Sequence, residues 1–326
     1  MSSVAAPPWR EIRWFAHAFL ALAMTKLLEF VPNFSDGRRA DVVDQIVAAM
    51  AAVPLARVLD HEMDSNHNRC VVTLAGPAEA MAAAAVAGAR AAMERIDLRS
   101  HKGEHKRMGA MDVCPFVPLG SATMADAVAT AHHVGERIGR ELGLPVFCYG
   151  EACKRESRRV LGNFRNKEFE GLLPLVSVDP EFLPDYGPAR LHPTAGAVAV
   201  GARTFLIAYN INLQTTDVQI AKDIAKAVRE KDGGLKKVQA MGFFLDDKQM
   251  AQVSMNLLDF QVTSIRRVFD EVAARAKAAG VAIAESELVG LAPAAAIDLA
   301  TAQHVQLRGF DPARQVVEQR LAAVGR

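Results

Sequence analysis

The stretch TFLIAYNINLQTTDVQIAKDIAKAV, residues 204–228, decides the fold class. Its first part, Thr204–Asn212, is an apolar run that predicts a strand. From Asp217 to Lys231 the apolar residues recur at helical spacing, and Gly233 and Gly234 mark the end of that helix. A strand that leads directly into an amphipathic helix indicates a mixed α and β domain.

The residues that follow complete a recognisable order of elements. Two more strands are predicted at Val238–Leu245 and Ala251–Leu257, with Asp246–Gln249 as the hairpin turn between them. A second helix, Ser264–Ala279, and a last strand, Val281–Val289, come next. The order β-α-β-β-α-β is the ferredoxin-like pattern.

The first half of the chain repeats this order and adds one more α-β pair. The predicted strands are 26–31, 57–60, 69–75, 113–117, 146–149 and 197–200, and the predicted helices are 42–50, 77–96 and 124–142. We therefore predict an α+β protein with two ferredoxin-like subdomains, residues 25–203 and 204–326. We expect their uncovered sheet faces to face each other around a substrate cleft.

Two segments of the first half lie outside this order of elements. The charged run Glu151–Leu172 predicts helix on the surface. The following run, Pro174–Thr194, is irregular and contains five prolines, at positions 174, 180, 184, 188 and 193. A long irregular segment in a compact domain is usually functional or a linker.

Composition narrows the class of protein. The chain has 326 residues, of which 51% are hydrophobic and 23% charged, so it can bury a large core as an ordinary soluble globular protein. Its net charge of +1 gives no general attraction for nucleic acid. Any preference for anions must therefore be local.

The cysteines indicate a reducing compartment. Cys70, Cys114 and Cys148 lie in apolar runs, Cys153 lies in a polar one, and none shows CxxC spacing. This pattern predicts reduced, structural thiols in a cytoplasmic protein. Because its sequence neighbours are polar, Cys153 is the thiol most expected to be reactive.

Residues 1–24 are treated apart from the fold. Arg10 and Arg13 precede the apolar run Trp14–Met24, which faintly resembles a signal peptide but is too short to span a membrane. The other interpretation, which we favour, is that Met24 is the true start, because a complete strand begins at Lys26. We therefore expect residues 1–24 to be an extension and the protein to have no membrane association.

The densest group of titratable side chains is His101-Lys102-Gly103-Glu104-His105, followed by Lys106-Arg107-Met108-Gly109-Ala110. There is no HExxH motif, and neighbouring cations would repel a dication, so we predict no metal site. Histidine moves protons near neutral pH, and glycine lets a ligand approach the backbone. Proton transfer with anion binding is therefore favoured over a merely solvated loop. No GxSxG, Walker or GxGxxG motif supports another chemistry.

The chain resembles the glutamate formimidoyltransferase family in a series of motifs that follow one order. They are VPNFSDG (31–37), HNR (67–69), HKGEHKRMGA (101–110), YGP (186–188), HPTAGA (192–197), VGAR (200–203), FLIAYNINL (205–213) and QVSMNL (252–257). The resemblance covers about residues 26–310. It implies transfer of the formimidoyl group from N-formimidoyl-L-glutamate to tetrahydrofolate, a co-substrate, in histidine degradation. The products are 5-formimidoyltetrahydrofolate and L-glutamate.

The resemblance also implies roles for individual residues. His105 corresponds to the family's general acid/base. The family's folate-binding segment corresponds to Gly187, Pro188, Ala189, Arg190, Leu191, His192, Pro193, Thr194, Ala195 and Gly196. Without the resemblance, that segment reads equally well as a linker.

Further polar residues are possible substrate contacts. Both substrates carry carboxylates, for which the candidate cations are Lys102, Arg107, Arg69, Arg190 and Arg203. Arg69 and Arg203 could instead form structural salt bridges. His101 is either a second proton carrier or a hydrogen-bond partner that holds the loop. The amides of Asn33, Asn210 and Asn212 either contact substrate or are satisfied within the core.

Other features follow from the same resemblance. The family implies a cytoplasmic homodimer, and this chain has no room for the cyclodeaminase domain of the mammalian-type enzymes, so a separate cyclodeaminase would process the product. Lys106 stands where the family usually has proline. Two alternatives stay open, namely a related folate-dependent formyl or formimidoyl transferase with another amine acceptor, and a non-catalytic folate-binding protein.

Overall fold

The computed structural model describes residues 25–103, 106–246 and 248–324, which form two compact units, 25–203 and 204–324. Residues 1–24, predicted to be an extension, lie outside the described residues. The α+β class, with one sheet in each of two units, is confirmed. The expected arrangement of the two sheets around a cleft stays a prediction.

The first unit contains one mixed sheet. Its strands are β1 (Lys26–Phe30), β2 (Asn33–Phe34), β3 (Arg57–Asp64), β4 (Arg69–Gly76), β5 (Met111–Gly120), β6 (Val146–Gly150) and β7 (Val198–Ala202). Its helices are α1 (Ala40–Ala51), α2 (Ala78–Arg95), α3 (Met124–Leu142), α4 (Gly162–Arg165) and α5 (Glu168–Leu172). Two short 3₁₀ turns, Glu156–Arg158 and Pro180–Phe182, complete it.

The strand order of this sheet reproduces the predicted pattern. β1 and β2 lie one after the other between β4 and β5, so the order is β3, β4, β1 with β2, β5, β7 and β6. β5, β7 and β6 are parallel, and the other pairs are antiparallel. The elements β1, α1, β3, β4, α2 and β5 therefore form the ferredoxin-like core, which α3, β6 and β7 extend.

Helices α1, α2 and α3 pack side by side because α2 carries small residues. Ala84, Ala85 and Ala92 on α2 are fully buried. A Cβ added at Gly88 would lie only 2.8 Å from Sδ of Met50 on α1. The Ala-rich sequence of α2 therefore sets how closely its neighbours approach it.

Local sequence signals define the ends of α3. Thr123 and Asp126 form a reciprocal capping box at its start, and Gly143 ends it in the left-handed conformation with φ of 65°. Such a box satisfies two backbone donors that a helix start leaves without partners. The predicted helix 124–142 is therefore confirmed at both ends.

The prediction for Glu151–Leu172 is wrong in two respects. The segment forms only the short helices α4 and α5 and one 3₁₀ turn, and it buries Phe164, Phe169 and Leu172 against the core. Charged residues dominate its sequence, but apolar side chains at intervals of a few residues face inward. The segment is therefore part of the packed unit and not a surface helix.

A buried arginine fixes the proline-rich segment that follows. Arg158 is 1% exposed, and its Nη1 donates to Oδ2 of Asp185 at 2.7 Å. Its Nη2 donates to the carbonyls of Glu181 and Leu183 at 2.6 and 2.7 Å. Asp185 also accepts the backbone N–H of Cys148 on β6 at 2.7 Å. The irregular backbone is thus held by side chains, without strand pairing along most of its length.

The second unit has the four-stranded antiparallel sheet expected from its sequence. Its strands are β8 (Ile207–Leu213), β9 (Val238–Leu245), β10 (Met250–Leu257) and β11 (Ile283–Val289), in the order β11, β8, β10, β9. Its helices are α6 (Val218–Val228), α7 (Ile265–Ala278), α8 (Leu299–His304), α9 (Pro312–Gln315) and α10 (Val317–Val324). A 3₁₀ turn, Glu230–Asp232, lies between α6 and β9.

Polar caps start both main helices of this unit. Asp217 accepts the N–H of Gln219 at 2.9 Å ahead of α6, and Ser264 accepts the N–H of Arg267 at 3.2 Å ahead of α7. These are the residue types preferred at helix starts. In the part of the chain that the structure describes, no helix combines the length and apolarity needed to cross a membrane.

The cysteine prediction is confirmed for packing. All four thiols are free, and Cys70, Cys114 and Cys148 are buried while Cys153 is partly exposed. Burial raises the pKa of Cys70 and of Cys148 to about 12 each. These thiols are protonated at neutral pH and pack as small apolar groups.

Candidate active site

The loop between α2 and β5 contains the densest titratable motif, and the structure describes both of its limbs. The first limb ends at Gly103 and the second begins at Lys106. Glu104 and His105 lie outside the described residues, so the predicted acid/base residue is located only by its sequence neighbours.

The turn between β3 and β4 holds the first limb. His101 Nε2 donates to the carbonyl of Asn68 at 2.9 Å, and Asn68 Nδ2 donates to the carbonyl of Lys102 at 3.0 Å. A Cβ added at Gly103 would lie 2.3 Å from the carbonyl oxygen of His67, so only glycine fits this approach. The HNR motif therefore supports the HKGEH loop directly.

A buried arginine joins the two limbs. Arg107 Nε donates to Nδ1 of His101 at 3.2 Å, and its Nη1 and Nη2 each donate to Glu170 at 2.7 Å. These bonds to Glu170 raise the pKa of Arg107. Since Nδ1 of His101 accepts and Nε2 donates, the network assigns a neutral imidazole to His101. This favours His101 as a residue that holds the loop, and it leaves Arg107 committed to Glu170 and not to a substrate carboxylate.

The second limb is held from α4 and β5. Arg165 Nε donates to Oδ2 of Asp112 at 2.8 Å, and Arg165 Nη2 donates to the carbonyl of Lys106 at 2.6 Å. Asp112 Oδ1 accepts the N–H of Met108 at 2.7 Å. One guanidinium therefore connects a helix, a strand and the loop.

The NFSDG turn supports the end of the same limb. Ser35 Oγ donates to the carbonyl of Gly109 at 2.7 Å, and the N–H of Ser35 donates to the carbonyl of Ala110 at 2.9 Å. Asp36 is buried and accepts the N–H groups of Arg38 and Arg39 at 3.2 and 3.1 Å. The turn is thus anchored on both sides.

The HPTAG turn packs against the loop from the other direction. His192 and Gly196 exchange two backbone hydrogen bonds of 3.0 Å each. The carbonyl of Thr194 accepts the N–H of Leu98 at 2.8 Å, and the carbonyl of Ala195 accepts the N–H of Ala110 at 2.9 Å. Four of the motifs singled out from the sequence therefore meet in the first unit.

Comparison with known proteins shows to which family the chain belongs. The family profile for the formiminotransferase domain, N-terminal subdomain, matches residues 27–203, and the profile for the formiminotransferase domain matches residues 208–319. The chain belongs to the formiminotransferase family. It is therefore a transferase by family membership.

Two microbial members of the family are similar in length to this chain. The glutamate formimidoyltransferase of Streptococcus pyogenes serotype M1 is 42% identical over 298 residues, which cover 91% of this chain and 99% of the relative. That of Thermoplasma acidophilum is 46% identical over 286 residues, or 87% and 94% of the two chains. The formimidoyltransferase-cyclodeaminase of Gallus gallus is 46% identical over 276 residues, but they cover only 51% of that protein.

The segment that corresponds to the family's folate-binding segment is anchored at both ends. Tyr186 and Gly187 pack against α3. A Cβ added at Gly135 of that helix would be 2.8 Å from the Tyr186 ring, and one added at Gly139 would be 2.6 Å from the nitrogen of Gly187. The other end is the HPTAG turn. Between them, Ala189 and Arg190 are exposed, whereas Leu191 is buried. This places an open stretch between two fixed ends.

The remaining candidate contacts divide between the two units. In the first, Asn33 donates to the carbonyl of Val31 at 3.0 Å, Lys102 is exposed, and burial lowers the pKa of Arg69, an effect that nearby Arg165 reinforces. Arg203 lies next to buried Tyr149. Arg69 therefore lies close to Arg165, which holds the second limb.

The asparagines Asn210 and Asn212 belong to the second unit. Asn212 is fully buried; its amide donates to Glu285 at 3.1 Å and its carbonyl oxygen accepts from Gln252 at 2.9 Å. Asn210 donates to Glu287 at 3.4 Å. Of the two interpretations made from sequence, the structure favours amides satisfied within the sheet.

Sequence reasoning missed Asp112, Arg165 and Glu170. Arg165 and Glu170 lie in the charged run that was predicted to be a surface helix. Asp112 is 2% exposed at the start of an apolar strand. A carboxylate in such a run needs a buried partner, and this signal could have been used.

Gly109→Ala is expected to lower the free energy of unfolding by about 3 kcal/mol, the upper end for overpacking a well-packed site. The added Cβ would lie 1.8 Å from the carbonyl oxygen of Ala197, and that oxygen belongs to backbone that cannot move aside easily. Urea unfolding measures the change. Gly171→Ala on α5 is the control, because its Cβ would make only a 3.4 Å contact and should be neutral or stabilising. Equal stability of the two variants would contradict this prediction.

We expect the free energy of unfolding to fall in mild acid because of His192. Its Nδ1 accepts the N–H of Ala195 at 3.0 Å, and burial lowers the pKa of His192. The unfolded chain therefore takes up this proton first, so stability is lost as pH falls from about 6.5 toward the folded pKa. His192→Asn keeps an acceptor that does not titrate, and its loss of stability between pH 7.5 and pH 5.5 should be smaller.

Urea unfolding at both pH values tests this expectation. His133→Asn is the matched control, because His133 is an exposed residue of α3. A loss of stability in acid that is the same in His192→Asn, His133→Asn and wild type would exclude the role of His192.

Proposed function

We propose that this chain transfers the formimidoyl group from N-formimidoyl-L-glutamate to N5 of tetrahydrofolate, with His105 as general acid and base. The observation that carries the proposal is the loop on either side of His105. The first limb is held by a hydrogen bond to Asn68 of the HNR motif, and the second limb is held by a hydrogen bond from Arg165 of α4. The chain's membership of the formiminotransferase family supplies the reaction class. A catalytic residue needs such a rigid support.

The proton balance of the reaction suits one imidazole. The amine at N5 attacks the amidine carbon, forms a C–N bond and gives up a proton, which His105 accepts. The C–N bond to glutamate then breaks, and His105 returns the proton to the departing amine. Histidine with a pKa near neutrality serves both steps.

Different parts of the site are proposed to bind the two substrates. Arg107 is neutralised by Glu170, so exposed Lys102 on the first limb is the better candidate for a substrate carboxylate. The more open stretch Pro188–Arg190, fixed at both ends, is the proposed folate contact. Its irregular backbone leaves amide and carbonyl groups for the edge of a pterin ring. The proposed mechanism requires no metal ion.

The proposed biological setting is histidine degradation in the cytoplasm by a homodimer, with a separate cyclodeaminase acting on the product. The free, buried cysteines support a reducing compartment. The two microbial relatives of similar length carry a name that mentions only the transferase activity.

The test is an absorbance assay of the purified chain with tetrahydrofolate and N-formimidoyl-L-glutamate, with product identified by mass. Formation of 5-formimidoyltetrahydrofolate and glutamate is the expected result. Binding of tetrahydrofolate without turnover would overturn the choice of donor, and a panel of other formyl and formimidoyl donors and amine acceptors would then identify the reaction. Absence of both binding and turnover would reject the proposal.

A further inference from the structure

We propose that Arg165 is a positioning residue that fixes the backbone next to His105, so that loss of its fork-shaped contact lowers turnover without abolishing substrate binding. This rests on the proposed function for what the loop does. The contacts of Arg165 do not depend on that function: its guanidinium donates to both Asp112 and the carbonyl of Lys106.

The contact with Lys106 is unusually well placed. Lys106 follows His105 directly, so its carbonyl marks the first described peptide group after the proposed catalytic residue. The Arg165 side chain is 13% exposed and that of Asp112 is 3% exposed, so the pair they form is largely shielded from water, whereas the bond to the Lys106 carbonyl lies at the surface. Hydrogen bonds of a charged donor in such surroundings are stronger than neutral ones.

Asp112 makes the support rigid. It lies on β5, which pairs with β1 and with β7, and its second oxygen holds the N–H of Met108. Arg165 therefore ties the limb to the centre of the sheet and not to another loop. Removing Arg165 would leave the Asp112 carboxylate buried without this partner and the Lys106 carbonyl without this donor.

The neighbouring contacts of α5 cannot replace Arg165. The N–H of Phe169 donates to the carbonyl of Arg107 at 2.9 Å, and Glu170 holds the side chain of Arg107. Both act one residue further from His105. A lysine at position 165 keeps the charge but presents a single ammonium, which does not reproduce the planar fork that reaches two acceptors.

The test uses Arg165→Lys and Arg165→Gln in the full chain, with two controls. Arg159→Gln removes an arginine from the same region whose partners are the exposed Glu151 and Glu156. Val176→Ala lowers stability by removing part of a buried side chain at a position outside residues 101–110. Two readouts are taken, namely amide hydrogen exchange of the ligand-free protein at residues 101–110, and kcat, KM and the pH profile of turnover.

The expected result has two parts. Exchange at Met108 should be at least about tenfold faster in both Arg165 variants than in either control, because the acceptor that protects this amide loses its support. Turnover should fall about 10- to 100-fold in kcat with KM changed less than about threefold, as expected when a catalytic group is displaced by about 1 Å. The pH optimum of the Arg165 variants should also move relative to the controls.

Two outcomes would overturn the proposal. One is unchanged loop exchange in the Arg165 variants. The other is a rise in exchange and a fall in kcat that Val176→Ala reproduces at equal stability, which would make Arg165 merely structural. Because exchange is measured without substrate, faster loop exchange together with an inactive wild type would reject the proposed reaction while retaining the support role.

Discussion

Replacing His105 with alanine is expected to lower kcat/KM by about 10²- to 10⁴-fold, the usual contribution of a general acid/base. In the proposed mechanism the same imidazole serves the attacking and the departing nitrogen, so both proton transfers would fail in the variant. The limbs of the loop keep their own contacts, through Asn68 on one side and Arg165 on the other. The fold should therefore be retained.

The measurement is steady-state turnover beside circular dichroism and urea unfolding of the same preparations. His133→Ala serves as the control, because it removes an exposed histidine of α3 and should have wild-type turnover. A folded His105→Ala with wild-type kcat/KM would remove His105 from the mechanism. A large loss in His133→Ala as well would point to a general effect of the substitution.

Asp185→Ala is expected to lower the free energy of unfolding by about 3–5 kcal/mol, because it leaves the buried Arg158 guanidinium without its counter-charge. The two side chains are 1% and 3% exposed, and they lie 2.7 Å apart. The same carboxylate accepts the N–H of Cys148. The change should therefore release the proline-rich segment from β6, and activity should fall with it.

Urea unfolding of Asp185→Ala, Arg158→Ala and the double variant measures this pair. Asp44→Ala, an exposed position on α1, is the control and should be within about 0.5 kcal/mol of wild type. The double variant should be less destabilised than the sum of the two single variants, because removal of both charges leaves neither unpaired. Additive losses, or a loss below about 1 kcal/mol for Asp185→Ala, would contradict a coupled buried pair.

Local patterns predicted most of the regular structure. The helix at 124–142 and strand β9 have the predicted bounds, and β10 begins one residue earlier than predicted, at Met250. Other bounds differ by a few residues; β3 continues to Asp64 and β8 begins at Ile207. Strand ends depend on which neighbour supplies hydrogen bonds, and that information is not local.

The largest error of prediction concerns residues 151–172 and has a clear cause. A charged run with scattered apolar residues resembles an exposed helix in one dimension. In the fold, Phe164 and Phe169 enter the core while Arg165 and Glu170 reach the loop. The contacts of this segment are with residues far away in sequence, so the pattern of the segment itself does not reveal its partners.

The sequence by itself determined the two ferredoxin-like orders of elements and the motif order that marks the formiminotransferase family. These depend on alternation, helical spacing and residue identity, which are local properties. Only the tertiary structure decided what the polar residues of the site do. Arg107 meets Glu170 across 63 positions, Arg165 meets Asp112 across 53, and His101 meets Asn68 across 33. Such partners are chosen by how the sheet and helices pack, because a buried charge or donor bonds to whatever acceptor the fold brings within reach.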